Sequence, residues 1–204
     1  MKFRFEKDRS SFVVTRATLR SLLGLYLGIP ARTVTFTYSK YGKPSLSTGQ
    51  DLYFNVSHSG LMALAGFSID EPIGVDIEER VDSSDLRLTA RRVFTDLELA
   101  ELNNLAPEQY TEGFYNAWTR KEAFIKAVGH GLSFPLKEFS VSLAPNKQAQ
   151  LLETKFDPNE KEHWTMKAID VPSSYHAAFA TRSTVREYVF RKWKHQRLPQ
   201  DPAV

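Results

Sequence analysis

The segment 110–128, YTEGFYNAWTRKEAFIKAV, constrains the fold more than any other part of the chain. Phe114, Trp118, Ile125 and Val128 recur at helical spacing, and Gly129 follows as a residue free to take the left-handed conformation that ends a helix. Such a helix gains most of its stability by laying its apolar stripe on another element. Its sequence neighbours are mostly strands. LYFNVS, LMALAGF and IGVDIEE precede it, separated by turns at HSG and IDEP, and they predict an antiparallel meander. FSVSL, HWTMKAI and YHAAFA follow it as three more candidate strands. TVTFTYS alternates as a strand, whereas KYGKPSLSTGQ, rich in Gly, Pro and Ser, reads as a loop. A second long helix is predicted over 8–27, capped by Asp8, with Phe12, Leu19, Leu23 and Tyr26 at helical spacing and Gly28 and Pro30 as its stop. Thr95 and Glu98 make a capping-box pattern ahead of LELAEL. Each half is thus a helical section followed by short strands, an α+β pattern of two similar lobes without repeated sequence.

The 204 residues, 42% of them hydrophobic, suffice for one sizeable domain or two small lobes. There is no apolar run of membrane-spanning length, and MKFRFEKDRS lacks the apolar stretch of a signal peptide. With no cysteine, disulfides, thiolate metal sites and cysteine nucleophiles are excluded. A soluble, cytoplasmic protein is the simplest expectation. The net charge of +3 permits an anionic partner without indicating nucleic acid. Basic residues gather at Lys2, Arg4, Lys7, Arg9, Arg16 and Arg20, and again at Arg186, Arg191, Lys192, Lys194 and Arg197, where the chain runs into the poorly packing LPQDPAV.

Within IGVDIEE, Asp76 and Glu78 share one face of a strand, opposite Val75 and Ile77. A wet face explains two such charges as readily as a ligand does. So does a surface ion pair for Glu122 and Lys126, four apart on the 110–128 helix, and a plain turn or loop for His58 and Lys43. Taken together they suggest more. Three carboxylates suit a hard cation such as Mg²⁺, a lysine one turn away suits phosphate oxygens, and a Ser-His turn and a Gly-Lys-Pro loop offer further anion contacts. The set suits phosphoryl-type transfer on a Mg²⁺-bound diphosphate. A Walker loop and a Gly-rich dinucleotide fingerprint are both absent.

YGKPSL, FNVSHSG, IGVDIE and FYNAWTRKEAFIKAVGHGLSFPL follow one another in the order and approximate spacing of the Sfp-type 4′-phosphopantetheinyl transferases. The resemblance runs from about Phe3 to about Ala180. It implies an α+β, sandwich-like fold of two pseudo-symmetric lobes, each a helical section with a small, mainly antiparallel sheet: residues 1–73 the N-terminal lobe, 74–190 the C-terminal lobe and 191–204 a basic tail. It implies transfer of 4′-phosphopantetheine from coenzyme A to a serine of an acyl or peptidyl carrier protein by a cytoplasmic monomer, with no nucleic-acid or membrane partner. Asp76, Glu78 and Glu122 resemble the family's ligands for Mg²⁺, with Mn²⁺ as the alternative ion. Lys126 resembles the lysine that meets the diphosphate, and Glu122 and Lys126 together the catalytic pair. Ser57 and His58 resemble the pair that binds coenzyme A phosphates, and Gly42, Lys43 and Pro44 the loop against adenine. Family members usually carry further basic residues before the motif that starts here at Phe3; either Lys2, Arg4, Lys7 or Arg9 substitutes in the 3′-phosphate contacts, or the sequence begins late. A Mg²⁺-dependent phosphohydrolase or nuclease, and a non-catalytic relative that binds coenzyme A or a carrier, are the competing readings.

Overall fold

The computed structural model describes residues 6–69, 71–185 and 187–193, with side chains from Val13 onward except that of Leu132. Lys2, Arg4, Arg186, Lys194 and Arg197 lie outside the described residues, as do the side chains of Lys7, Arg9 and Phe12. The first helix, α1 (Glu6–Leu27), ends at Gly28 with φ +66°. Asp8 lies within this helix and not at the position before it, and its side chain lies outside the described residues. Leu19 and Leu23 bury with Val34 and Phe54 in a small core, while Tyr26 is largely exposed and packs its ring against Phe67.

Two hairpins follow. β1 (Phe36–Tyr38) pairs antiparallel with β2 (Pro44–Leu46), so part of the expected loop is strand. Pro44 is tolerated because this is a two-stranded edge, where a missing N–H leaves no central ladder broken. β3 (Tyr53–Ser59) pairs with β4 (Met62–Ser68) through Gly60 and Leu61. His58 and Ser59 therefore complete a strand and are not the turn the sequence suggested.

The expected meander stops there. β5 (Ile73–Glu79) does not join the β3–β4 ladder. It pairs along its whole length with β9 (Tyr175–Thr181), which holds β8 (Thr165–Ala168) on its other edge. Side chains bind β3 to β5 instead of backbone. Asn55 Oδ1 accepts the Val75 amide at 2.9 Å and Ser59 Oγ accepts the Glu79 amide at 3.0 Å. Ser57 Oγ donates to Asp76 and Ser59 Oγ to Glu78. These contacts advance together along both strands, so β3 and β5 run in the same direction.

Two short helices, α2 (Leu86–Val93) and α3 (Asp96–Asn104), lead to α4 (Tyr110–Val128). The capping box of Thr95 and Glu98 is formed in full, and Gly129 stops α4 with φ +84°. α4 is buried nearly all round, not along one stripe: Arg120 and Lys121 are as inaccessible as Phe124 and Ile125. It lies across β5 and β9 and packs with β6 (Phe139–Val141) and its unanticipated partner β7 (Leu151–Thr154) in the main core. Gly74 makes this close packing possible. A Cβ there would overlap the Ala123 carbonyl oxygen and the Ala127 amide nitrogen.

A candidate active-site cleft between two strands and a helix

Gly74, Asp76 and Glu78 share the face of β5 turned toward α4. Lys126, Glu122 and Trp118 are spaced by four along the facing side of the helix, so they share its face. Because Gly74 lies under Ala123 and Ala127 while Glu78 meets Trp118, strand and helix run in opposite senses. The two rows and the end of β3 enclose a cleft of about 310 Å³ lined by Val56, Ser57, His58, Asp76, Glu78, Trp118, Glu122 and Lys126.

Asp76 is only 2% exposed. Its Oδ1 accepts from Lys126 Nζ at 2.6 Å and from Ser57 Oγ at 2.8 Å, and Lys126 Nζ lies 2.9 Å from Ser57 Oγ. Its Oδ2 is buried without a hydrogen-bond partner, as is Glu122 Oε1. Glu78 accepts from Ser59 Oγ at 2.9 Å and from Trp118 Nε1 at 3.4 Å. Burial pushes the Glu122 carboxyl up to about 7, helped by the charges of Asp76 and Glu78 and opposed by Lys126. Burial, then Asp76, also raises Glu78.

Three carboxylates thus face one lysine, and two of their oxygens are buried and unpaired. An orphaned buried carboxylate oxygen is costly, and a hard divalent cation satisfies it directly. In this side-chain arrangement no three His, Asp or Glu among the described residues converge on one point. Lys126 holds one oxygen of Asp76, and Glu78 is turned to Ser59 and Trp118.

Of the residues singled out in the sequence, Ser57, His58, Asp76, Glu78, Glu122 and Lys126 meet in this cleft. Gly42, Lys43 and Pro44 do not line it. Lys43 instead reaches the end of α4, where its Nζ donates to the carbonyls of Lys126 and Ala127. Trp118 was read only as an apolar stripe residue, yet it lines the cleft and touches Glu78. Its spacing of four from Glu122 was the available signal.

Comparison with known proteins identifies the family. The family model described as the 4′-phosphopantetheinyl transferase superfamily matches residues 72–180, and one described as 4′-phosphopantetheinyl transferase, N-terminal, matches residues 1–68. The 4′-phosphopantetheinyl transferase HetI of a Nostoc species is 39% identical over 153 residues, covering 74% of this chain and 64% of that protein. The 4′-phosphopantetheinyl transferase Sfp of Bacillus subtilis is 33% identical over 150 residues, covering 74% of this chain and 66% of that protein. The chain therefore spans just under two thirds of the length of either relative. A crystal structure of a holo-(acyl-carrier-protein) synthase from Bacillus anthracis covers 55% of this chain and 96% of its own, with a TM-score of 0.44 and 23% identity. With one family model accounting for more than half of its residues, the chain belongs to the 4′-phosphopantetheinyl transferase superfamily.

Proposed function

We propose that this protein transfers 4′-phosphopantetheine from coenzyme A to a serine hydroxyl of an acyl or peptidyl carrier protein and releases adenosine 3′,5′-bisphosphate. The observation that carries this reading is the convergence of Asp76, Glu78, Glu122, Lys126, Ser57 and His58 on one cleft, with two buried carboxylate oxygens left unpaired. The family match supports it.

In this reading Asp76, Glu78 and Glu122 hold Mg²⁺, or Mn²⁺ in its place. The bound ion supplies Lewis-acid neutralisation of the diphosphate. Lys126 leaves Asp76 Oδ1 for the diphosphate oxygens, where it acts as a point charge as the anhydride bond breaks. Ser57 and His58, at the end of β3, contact coenzyme A phosphates. The carrier serine oxygen attacks the β-phosphorus, the bond from that phosphorus to the α-phosphate oxygen breaks, and the serine proton passes to Glu122. The lobe division at 73/74 and a cytoplasmic monomer complete the reading, and the two family-model matches, 1–68 and 72–180, support the division; the segment expected as a basic tail lies, from residue 194 on, outside the described residues. Among the described residues no helix is long and apolar enough to cross a membrane.

The test is incubation with apo carrier protein, coenzyme A and Mg²⁺, followed by the intact mass of the carrier. A gain of one phosphopantetheine is expected. Hydrolysis of coenzyme A without that gain supports a phosphohydrolase instead, and binding without any chemistry supports a non-catalytic relative.

A further inference from the structure

Lys43 closes the turn of the β1–β2 hairpin, next to the first residue of β2 and far in sequence from α4. Its turn is built locally. Gly42 N–H donates to the Ser39 carbonyl, Ser39 N–H donates to the Lys43 carbonyl, and Ser39 Oγ accepts the Lys43 amide. The side chain then leaves the hairpin and crosses Gly129, where a Cβ would press on Lys43 Cδ at 3.3 Å. Its ammonium ends on the last turn of α4, 2.5 Å from the carbonyl oxygen of Lys126 and 3.0 Å from that of Ala127. No carboxylate pairs with it among the described residues. Burial lowers its pKa to about 8, which leaves it mostly protonated at neutral pH.

Helix C-terminal carbonyls lack intrahelical partners and carry the negative end of the helix dipole, so a cation there is favourable. One of the two carbonyls held belongs to Lys126, whose own ammonium binds Asp76 and Ser57 in the cleft. The same residue is gripped at its backbone by one hairpin and at its side chain by two strands.

We propose that Lys43 is a positioning residue: it straps the β1–β2 hairpin to the C-terminal turn of α4 and so fixes where Lys126 presents its ammonium. The side chain serves the helix end and not a ligand directly. The effect on catalysis rests on the transferase reading above, while the strap itself does not.

The test uses Lys43→Met, which keeps the stem and removes the charge, and Lys43→Arg, which restores a donor. The first readout is amide hydrogen exchange over residues 126–130 in the full chain without ligand. Lys43→Met is expected to speed exchange there and Lys43→Arg to restore much of the protection. Unchanged exchange overturns the strap, whatever the enzyme does. The second readout is a double-mutant cycle with Lys126→Ala, reading kcat and KM for coenzyme A. Lys43→Met alone is expected to cost roughly 10- to 100-fold in kcat, as a small misplacement does, and to cost almost nothing further when Lys126 is already Ala. Additive losses overturn the positioning role and assign Lys43 a ligand contact of its own. If the wild-type protein shows no transfer, the transferase reading fails while the exchange result still decides the strap.

Discussion

Helix α4 carries two lysine–carboxylate clusters one residue apart, and they are built in opposite ways. Lys121 and Glu98 are both fully buried. The ammonium donates to both Glu98 oxygens at 2.8 Å and to the Phe139 carbonyl at 2.6 Å. The carboxylate also accepts the amides of Thr95 and Val141, each at 2.8 Å. Burial pushes Glu98 up and Lys121 down, and their contact opposes both shifts. All three ammonium donors are used, and the pair pins α3, α4 and β6 together. On the next residue, Glu122 leaves Oε1 buried and unpaired, and Asp76 leaves Oδ2 so. The first cluster is complete without anything from outside. The second is short of positive charge and of donors, the difference expected if it serves the proposed ligand and the first serves the fold.

The largest effect that tests this contrast falls on the closed cluster. Glu98→Gln strands a buried ammonium and leaves one acceptor oxygen where two served Lys121, Thr95 and Val141, and is expected to cost about 3–5 kcal/mol, the usual result of removing one partner from a buried pair. Urea unfolding measures it. A loss below about 1 kcal/mol would mean that water reaches Lys121 and that the two clusters are not different in kind.

In the open cluster the sign reverses. The folded-state pKa of Glu122, about 7, lies above the ordinary 4.5, so the folded protein holds the proton more tightly than the unfolded chain. Its contribution to stability is therefore present at pH below 4.5 and is lost as pH rises through 7. Without added cation at pH 8, Glu122→Gln is expected to gain up to about 3 kcal/mol in unfolding free energy and, at pH 4, next to nothing. The same variant is expected to lose roughly 10²-fold or more in carrier modification. A Glu122→Gln protein that is less stable at pH 8 and still active would put Glu122 in the structural class with Glu98.

This contrast was only partly legible in the sequence. Both long helices, the Thr95–Glu98 cap and the Gly129 stop were, because they depend on local spacing and local backbone freedom. The pairing of β5 was not. The alternation of IGVDIEE suits any neighbouring strand: a meander sets β5 beside β4, whereas its backbone ladder goes to β9, about a hundred residues on, and β3 reaches it only through the side chains of Asn55, Ser57 and Ser59. The six cleft residues could be nominated by residue type and spacing, but nothing local says that Gly74 lets α4 approach closely enough to bring them together. Lys43 was nominated with Gly42 and Pro44 from the resemblance of their loop, and nothing local in the sequence says that its ammonium also meets the carbonyls of residues more than eighty positions away.

The smallest effect belongs to a third buried group, His176, the cross-strand neighbour of Glu78 on β9. Asn116 Nδ2 donates to the Leu143 carbonyl, which turns Asn116 Oδ1 toward His176 Nδ1 at 3.2 Å. The imidazole therefore carries its proton on Nδ1 and leaves Nε2 as a buried acceptor without a partner. Burial, then the charges of Arg80 and Arg120, lowers its pKa to about 4. The folded protein thus binds this proton less readily than the unfolded chain, whose histidine titrates near 6.5. Its contribution is present above pH 6.5 and is lost as pH falls toward 4, the opposite slope to that of Glu122 in the overlapping range. His176→Phe keeps a ring stacked on Tyr115 but removes the titration. It also leaves Asn116 Oδ1 short of a donor at every pH, so the slope of stability against pH decides the matter and not its level. Urea unfolding at several pH values between about 4 and 7 is expected to show a shallower acid decline in His176→Phe than in wild type, and a steeper one in Glu122→Gln, where Glu122 no longer offsets the slope of the histidine. Parallel slopes in wild type and His176→Phe would mean that the ring is protonated as easily in the folded state as out of it, and that Arg80 and Arg120 do not hold it neutral.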